Sequence, residues 1–493
     1  MPSILSNESS SLLSPNIGQG GSSTRSHDGK SNTFCHFSVT LPYLFTFLAF
    51  EIALILVATP MRPIQEDIIC RKHYPGALAA SSMCKSDIVQ SELSLIKGWE
   101  ATFGLLPGMI TAVPYGMAAE RYGRRPVLGL SLLGISLSQA VDIIVCYFPE
   151  AFSLRLIWLG AALTLVGGGP LVTTTMLFLI ASDVTSEAHR STSFFYLSAI
   201  PLIGQLLAAP LTYAAMAKGN WFSVLLGFGG LVVSTLAILV TPETHSMRHS
   251  DSCDDYRSSV DYTSPPLGVR ALVVSVSRQA AVSVRTVFWS NKLSLLLMNF
   301  LFTSISESIP PILMQYVTKR FQWTWAEAAL LNSISAGVRL AVVGLLLPFA
   351  SRVLLLDLRL NPSLKDLWLA RAGISALVVG AFGIGLADRS IIVIISLMIY
   401  SLGFGYGPAM RGLLITIAEG QRASDLLMCI SLIESTGLLL SGPLLAASFR
   451  VGMALRGVWI GLPFILVGCC LACATAIVIG IRIGGEPHQA SSS

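Results

Sequence analysis

Twelve stretches of about twenty residues in this chain carry almost no charge, and that pattern limits its possible folds more than any other feature. They fall at about 40–60, 99–118, 126–148, 156–180, 193–216 and 222–241, then 293–317, 326–350, 368–387, 391–417, 426–449 and 458–481. A helix needs roughly 20 apolar residues to cross the ~30 Å hydrocarbon core of a bilayer, so each stretch is long enough to span it. Asp, Glu, Lys and Arg make up 12% of the 493 residues, about half the ~25% of a soluble globular chain. The expected fold is an all-α integral membrane protein of twelve transmembrane helices.

The longest polar interval divides them six and six. Between Pro242 and Asn291 the chain carries Arg248, Asp251, Asp254, Asp255, Arg257, Asp261 and the Pro265-Pro266 pair, which reads as a soluble linker between two membrane halves. The expected organisation is a six-helix half at 37–241, a cytoplasmic linker at 242–291 and a second half at 292–482, with tails at 1–36 and 483–493. The first tail is rich in Ser, Gly and Asn and poor in large apolar side chains, so it is expected to be disordered. No cleavable leader is expected ahead of the first span. With both termini inside, eighteen Lys and Arg fall on the inner side and twelve on the outer, five of these in one long outer interval at 61–98. Positive charge favours the cytoplasmic side of short loops, so both termini are expected in the cytoplasm, with the plasma membrane as the location. The net charge of +5 comes without any basic run interleaved with aromatics, which excludes nucleic acid as a partner.

Between spans two and three stands Gly116-x-x-x-Glu120-Arg121-Tyr122-Gly123-Arg124-Arg125-Pro126. Gly123 can take the backbone conformation a tight reversal needs, and Pro126 suits the first turn of the next helix. This resembles the loop signature of the major facilitator superfamily, Gly-x-x-x-Asp-Arg-x-Gly-Arg-Arg, with Glu120 in the Asp position. The loop after span eight holds no good copy. Ile69-Cys70, Gly98-Trp99, Pro114-Tyr115-Gly116 and Pro242-Glu243-Thr244 are similar to fungal members of that superfamily. The resemblance implies the major facilitator fold in two six-helix halves. It also implies a gating role for Gly116, Glu120, Arg121, Gly123, Arg124 and Arg125, stabilising the outward-open state. The antiporter signature expected in span five is absent; Gly204 to Pro210 stands there instead, so the direction of transport does not follow from it.

Six acidic or basic residues stand more than one helical turn inside the apolar spans: Glu51, Asp142, Glu307, Arg339, Arg411 and Glu434. Each costs at least ~2.5 to 3.5 kcal/mol on insertion scales, so it faces the protein interior or a watery cavity. Glu51, Glu307, Arg339, Arg411 and Glu434 are the candidates for the substrate or proton pathway, and Asp142 reads as structural. Helical rise puts Arg411 and Glu434 at matching depths on consecutive antiparallel spans, as an ion pair or a gating pair. Pro310-Pro311 beside Glu307 frees backbone carbonyls there. Gly167 to Pro170 followed by Thr173, Thr174 and Thr175 forms a second flexible stretch, in span four. Small-residue pairs Gly104/Gly108 in span two and Gly437/Ser441 in span eleven permit close helix approach, and in the resembled fold those two spans meet.

Of nine cysteines only Cys70 and Cys84 share the long outer interval, so they are the disulfide candidates. Cys469, Cys470 and Cys473 have no His or carboxylate beside them, and no metal or cofactor is expected. Hydrolase, metalloprotease and nucleotide-binding signatures are absent, which argues against an enzyme. The expected function is a monomeric, proton-coupled secondary transporter of a small organic molecule, working by alternating access, with efflux of a fungal metabolite or toxicant as the leading substrate class. Nutrient uptake by symport and a non-transporting sensor on the same fold are the alternatives.

Overall fold

The computed structural model describes residues 28–75, 82–184, 190–241, 291–357, 362–417 and 423–480. The linker read at 242–291 lies almost entirely outside them, as do residues 1–27 and 483–493 of the tails. The described residues contain no strand. Their helices make twelve spans in two six-helix halves. Ten are long and apolar enough to cross a bilayer by themselves. The other two are span two (Asp87–Tyr122), diluted by Pro107, Pro114 and its glycines, and span four, which is split.

Span one runs Asp28–His73, 46 residues, through Pro42, Pro60 and Pro63. It therefore outruns the expected 40–60 at both ends. At the N-terminal end, residues 28–36 of the stretch expected to be disordered continue the helix, because adding turns to a formed helix avoids the cost of nucleation. At the other end, Pro60 and Pro63 do not stop it: prolines are tolerated in membrane helices whose freed carbonyls find other partners. The interval between spans one and two shrinks accordingly, since span two begins at Asp87.

Three spans are broken where the sequence removes helical hydrogen bonds. Span four comprises Ile157–Leu163 and Gly169–Val184. Between them Gly167 and Gly168 have φ of +87° and +79°, a region that L side chains enter only at a cost. The Tyr115 hydroxyl satisfies the break, donating to Leu165 O at 2.9 Å and accepting from Gly167 N at 2.7 Å. Span seven comprises Asn291–Ser306 and Ile309–Arg320. Pro310 has no N–H for the Ser306 carbonyl, and the Tyr400 hydroxyl donates to that carbonyl instead at 2.9 Å. Span ten comprises Ser390–Leu402 and Tyr406–Ile417, joined by a tight turn at Gly403–Gly405. Span eight starts at Trp325 on a capping box made by Thr324 and Glu327 and carries a π-helical turn at Val342–Leu346.

The first half packs a core of its own around Phe50, Val57, Leu128 and Leu231. The core of the second half extends across the division to Ile69, Cys70, Cys84, Val89, Leu93 and Ile96. These residues all lie at one end of spans one and two, so the halves are fused at that end. Spans two and eleven (Ala423–Leu455) touch there through Gly98 and Gly442: a Cβ on Gly98 would lie 2.7 Å from Gly442 O. Thr102 Oγ1 donates to Leu439 O at 3.0 Å. This corrects the expected contact. Gly104 faces no side chain or backbone within 4 Å, Gly108 packs on span four, and Gly437 packs on Ser304 of span seven. Small-residue spacing permits close approach, but the crossing point decides which small residues meet.

Candidate functional site

A cavity of about 980 Å³ lies in the second half, walled by spans seven to eleven with Ser198 of span five. It runs from Ser306 and Tyr400 at its closed end to Ser351 and Lys365, at the span ends on the face that carries the Gly116–Arg125 loop. Four of the five charged candidates line it: Glu307, Arg339, Arg411 and Glu434. Glu307 stands at the break of span seven, where the proline pair opens the helix. Arg339 lies one helix away, its guanidinium carbon 5.4 Å from the Phe404 ring centroid, close enough for a cation–π contact. Arg411 Nη2 sits 2.6 Å from Glu434 Oε1. Lys365 and Asp366, which sequence reading passed over, bring a second pair at 3.1 Å. Glu51 does not line this cavity. It packs in the first half against Gly204 of span five, where a Cβ would meet its own Cβ at 3.1 Å. Asp142 is buried beside Gly160 of span four, and the hydroxyls of Thr173, Thr174 and Thr175 return to carbonyls of their own helix.

The opposite face is shut. Glu66 of span one, 6% exposed, accepts from Trp325 Nε1 of span eight at 2.6 Å and from Lys85 Nζ at 2.9 Å. Lys85 also lies 5.1 Å from the Trp325 ring centroid. Gln90 donates to Glu66, and Gln315 Nε2 of span seven donates to Gln90 O at 2.7 Å. Lys319 pairs with Asp87 at 2.7 Å, and Arg62 Nη1 donates to Pro311 O at 2.9 Å. Every one of these bonds except the Lys85 and Gln90 contacts to Glu66 joins the first half to the second. Cys70 and Cys84 form a disulfide that ties the end of span one to the turn carrying Lys85. Above this network lies an open depression of about 1550 Å³ lined by Glu66, Lys85, Tyr147, Trp221 and Trp325. Sequence reading missed the closure because Glu66, Lys85, Gln90 and Gln315 look like polar loop or flanking residues until span one is seen to continue past Pro63.

The Gly116–Arg125 loop sits on the open face. Gly123 has φ of +98°, the conformation that needs glycine, whereas a Cβ on Gly116 would meet nothing within 4 Å. Glu120 and Arg121 are exposed, and Arg121 lies over the Tyr122 ring at 5.5 Å. Arg124 is buried, its Nε 3.2 Å from Asp183 Oδ2 at the end of span four. Asp183 is a partner that sequence reading did not single out; its place in the last turn before a polar interval was the available signal. Among the described residues no group of three or more His, Cys, Asp or Glu could hold a metal ion.

Residues 43–424 match the family model of the Major Facilitator Superfamily. An MFS efflux pump of Emericella nidulans, atnC, is 30% identical over 457 residues, covering 90% of this chain and 87% of the pump. The efflux pump ustT of Aspergillus flavus is 29% identical over 430 residues, covering 84% and 82%. Among solved structures, a D-xylose–proton symporter superposes with a TM-score of 0.56 at 12% identity over 89% of this chain and 97% of its own. The human organic anion transporter MFSD10 gives 0.51 at 16% identity over 90% and 99%.

Proposed function

The chain belongs to the major facilitator superfamily and is a multi-pass membrane transporter rather than an enzyme, and from that premise we propose that it exports a small organic molecule in exchange for protons. The reading puts the Gly116–Arg125 loop and both termini in the cytoplasm of a plasma-membrane protein that works as a monomer. On that reading the structure is the inward-facing state. Its cavity opens to the cytoplasm, and its outer face is closed by the network around Glu66 and Trp325.

The observation that supports this best is the one-sided cavity with Glu307 at the helix break beside its closed end. A carboxyl group there can carry a proton while the halves rock about it, first toward one face and then toward the other. Rocking separates Glu66 from Trp325 and Gly98 from Gly442, and draws the loop face together. Glu120 and Arg121, exposed here, then come within reach of the second half. The efflux-pump relatives support the outward direction.

The test compares metabolites inside and outside cells of a strain lacking the gene and of its parent. The account expects at least one small organic compound to be retained inside the deletion strain and depleted outside. Unchanged distributions overturn the export reading.

A further inference from the structure

Six charged side chains line the inward cavity, three of each sign: Glu307, Asp366 and Glu434 against Arg339, Lys365 and Arg411. Four of them are spent on one another, Arg411 with Glu434 at 2.6 Å and Lys365 with Asp366 at 3.1 Å. The remainder is one acid and one base. Among the described residues neither the Glu307 carboxylate nor the Arg339 guanidinium has a hydrogen-bond or salt-bridge partner. One face of Arg339 is turned to the Phe404 ring, which leaves its in-plane N–H fork for a ligand. Three of the hydroxyls around them are already committed: Tyr400 to Ser306 O, Thr303 to Asn299 O at 3.2 Å, and Ser306 to Thr303 O at 2.5 Å. Much of the remaining wall is apolar, with Phe300, Leu347, Leu369 and Leu377.

From this imbalance we infer that the cavity selects zwitterions, with a ligand ammonium at Glu307 and a ligand carboxylate at Arg339, so that its substrates are amino-acid-derived or short-peptide molecules. Three alternatives are disfavoured by the same two groups. An uncharged ligand would strip water from both charges and pair neither. A plain anion would satisfy Arg339 and meet repulsion from Glu307, and a plain cation would do the reverse. The guanidinium fork matches a carboxylate with two parallel bonds, which a lysine at that position could not supply. The volume stands at the upper end of the ~300–1,000 Å³ usual for small-molecule sites, which leaves room for more than a single amino acid. This inference rests on reading the cavity as the transport site.

The probes are the dipeptide Phe-Ala with free termini, its N-acetyl form, its methyl ester, and the form blocked at both ends, measured by equilibrium binding to the full-length protein in lipid nanodiscs. The free dipeptide is expected to bind at least tenfold tighter than any blocked form. Arg339→Gln should weaken the free and N-acetyl forms and, by removing the repulsion, tighten the ester. Glu307→Gln should weaken the free form and the ester and, by removing the repulsion, tighten the N-acetyl form. If Arg339→Gln fails to fold, Arg339→Lys takes its place, keeping the charge, losing the fork, and reducing the preference for a carboxylate. Four probes binding within twofold of one another, none binding, or variants that weaken all four alike would overturn the inference. Loss of end-group discrimination while the deletion strain still retains its compound removes the substrate class alone. Intact discrimination with unchanged metabolite distributions removes the export reading alone.

Discussion

Replacing Gly98 with alanine should push the protein out of the conformation described above. The new Cβ would lie 2.7 Å from Gly442 O and 2.9 Å from Ala446 Cβ, where carbon and oxygen ordinarily approach no closer than about 3.3 Å. Both opposing atoms belong to span eleven, one of them backbone, so relief requires the two helices to part. Overpacking of this kind costs about 1–3 kcal/mol. The strain exists while the ends of spans two and eleven on the disulfide face are together and vanishes when they separate, so it acts wholly on the equilibrium between the two states. A bias of that size shifts the ratio about 5- to 150-fold toward the form open at the disulfide face. Spin labels at the exposed Glu150 and Asp388, in loops of the first and second halves on the disulfide face, report the shift as growth of a longer inter-label distance. Gly104→Ala, six residues along the same helix with nothing within 4 Å of the new Cβ, is the control and should be silent. An unchanged distance distribution in Gly98→Ala, or an equal shift in Gly104→Ala, refutes the reasoning.

Gly123→Val forces a β-branched residue to φ near +98° and should abolish flux while membrane insertion stays near normal; full flux would remove the loop from the gating machinery. Arg411→Glu and Glu434→Arg should each lower surface expression or transport, and the charge-swapped double variant should recover part of the loss; additive losses in the cycle would mean that the 2.6 Å pair is not maintained in the membrane. Cys70→Ser opens a 14-residue separation, for which chain entropy predicts about 3 kcal/mol of lost stability; an unaltered denaturation midpoint in detergent would show that the closed disulfide face does not depend on the tether.

The number of spans and their two groups of six are legible in the sequence, because charge is expelled from any segment that faces lipid. The same cost explains why Glu307, Arg339, Arg411 and Glu434 gather on one cavity: an ionisable group in a span has few places to go except inward. That rule does not say which interior, and Glu51 lies against span five of its own half. Helix ends were harder to read. Pro60 and Pro63 look like a terminus in isolation, yet a following turn that buries Ile64, Gln65 and Glu66 carries the helix onward. The closure of the disulfide face was invisible for the same reason, since Glu66 meets Trp325 across 259 positions of sequence. Gly98 and Gly442 could not be picked out as the crossing point, because small residues also stand four positions away from them at Ser94 and Ala446, and spacing alone does not say which of many small residues meet.

Proton-driven export through the cavity that Glu307 lines is tested most directly in proteoliposomes with an imposed pH gradient, using the compound that the deletion strain retains. The account predicts accumulation against a concentration gradient by the wild-type protein, collapse of that accumulation when the pH gradient is dissipated, and movement only to equilibrium by Glu307→Gln. Accumulation by Glu307→Gln equal to that of the wild type, or wild-type accumulation indifferent to the pH gradient, would contradict it.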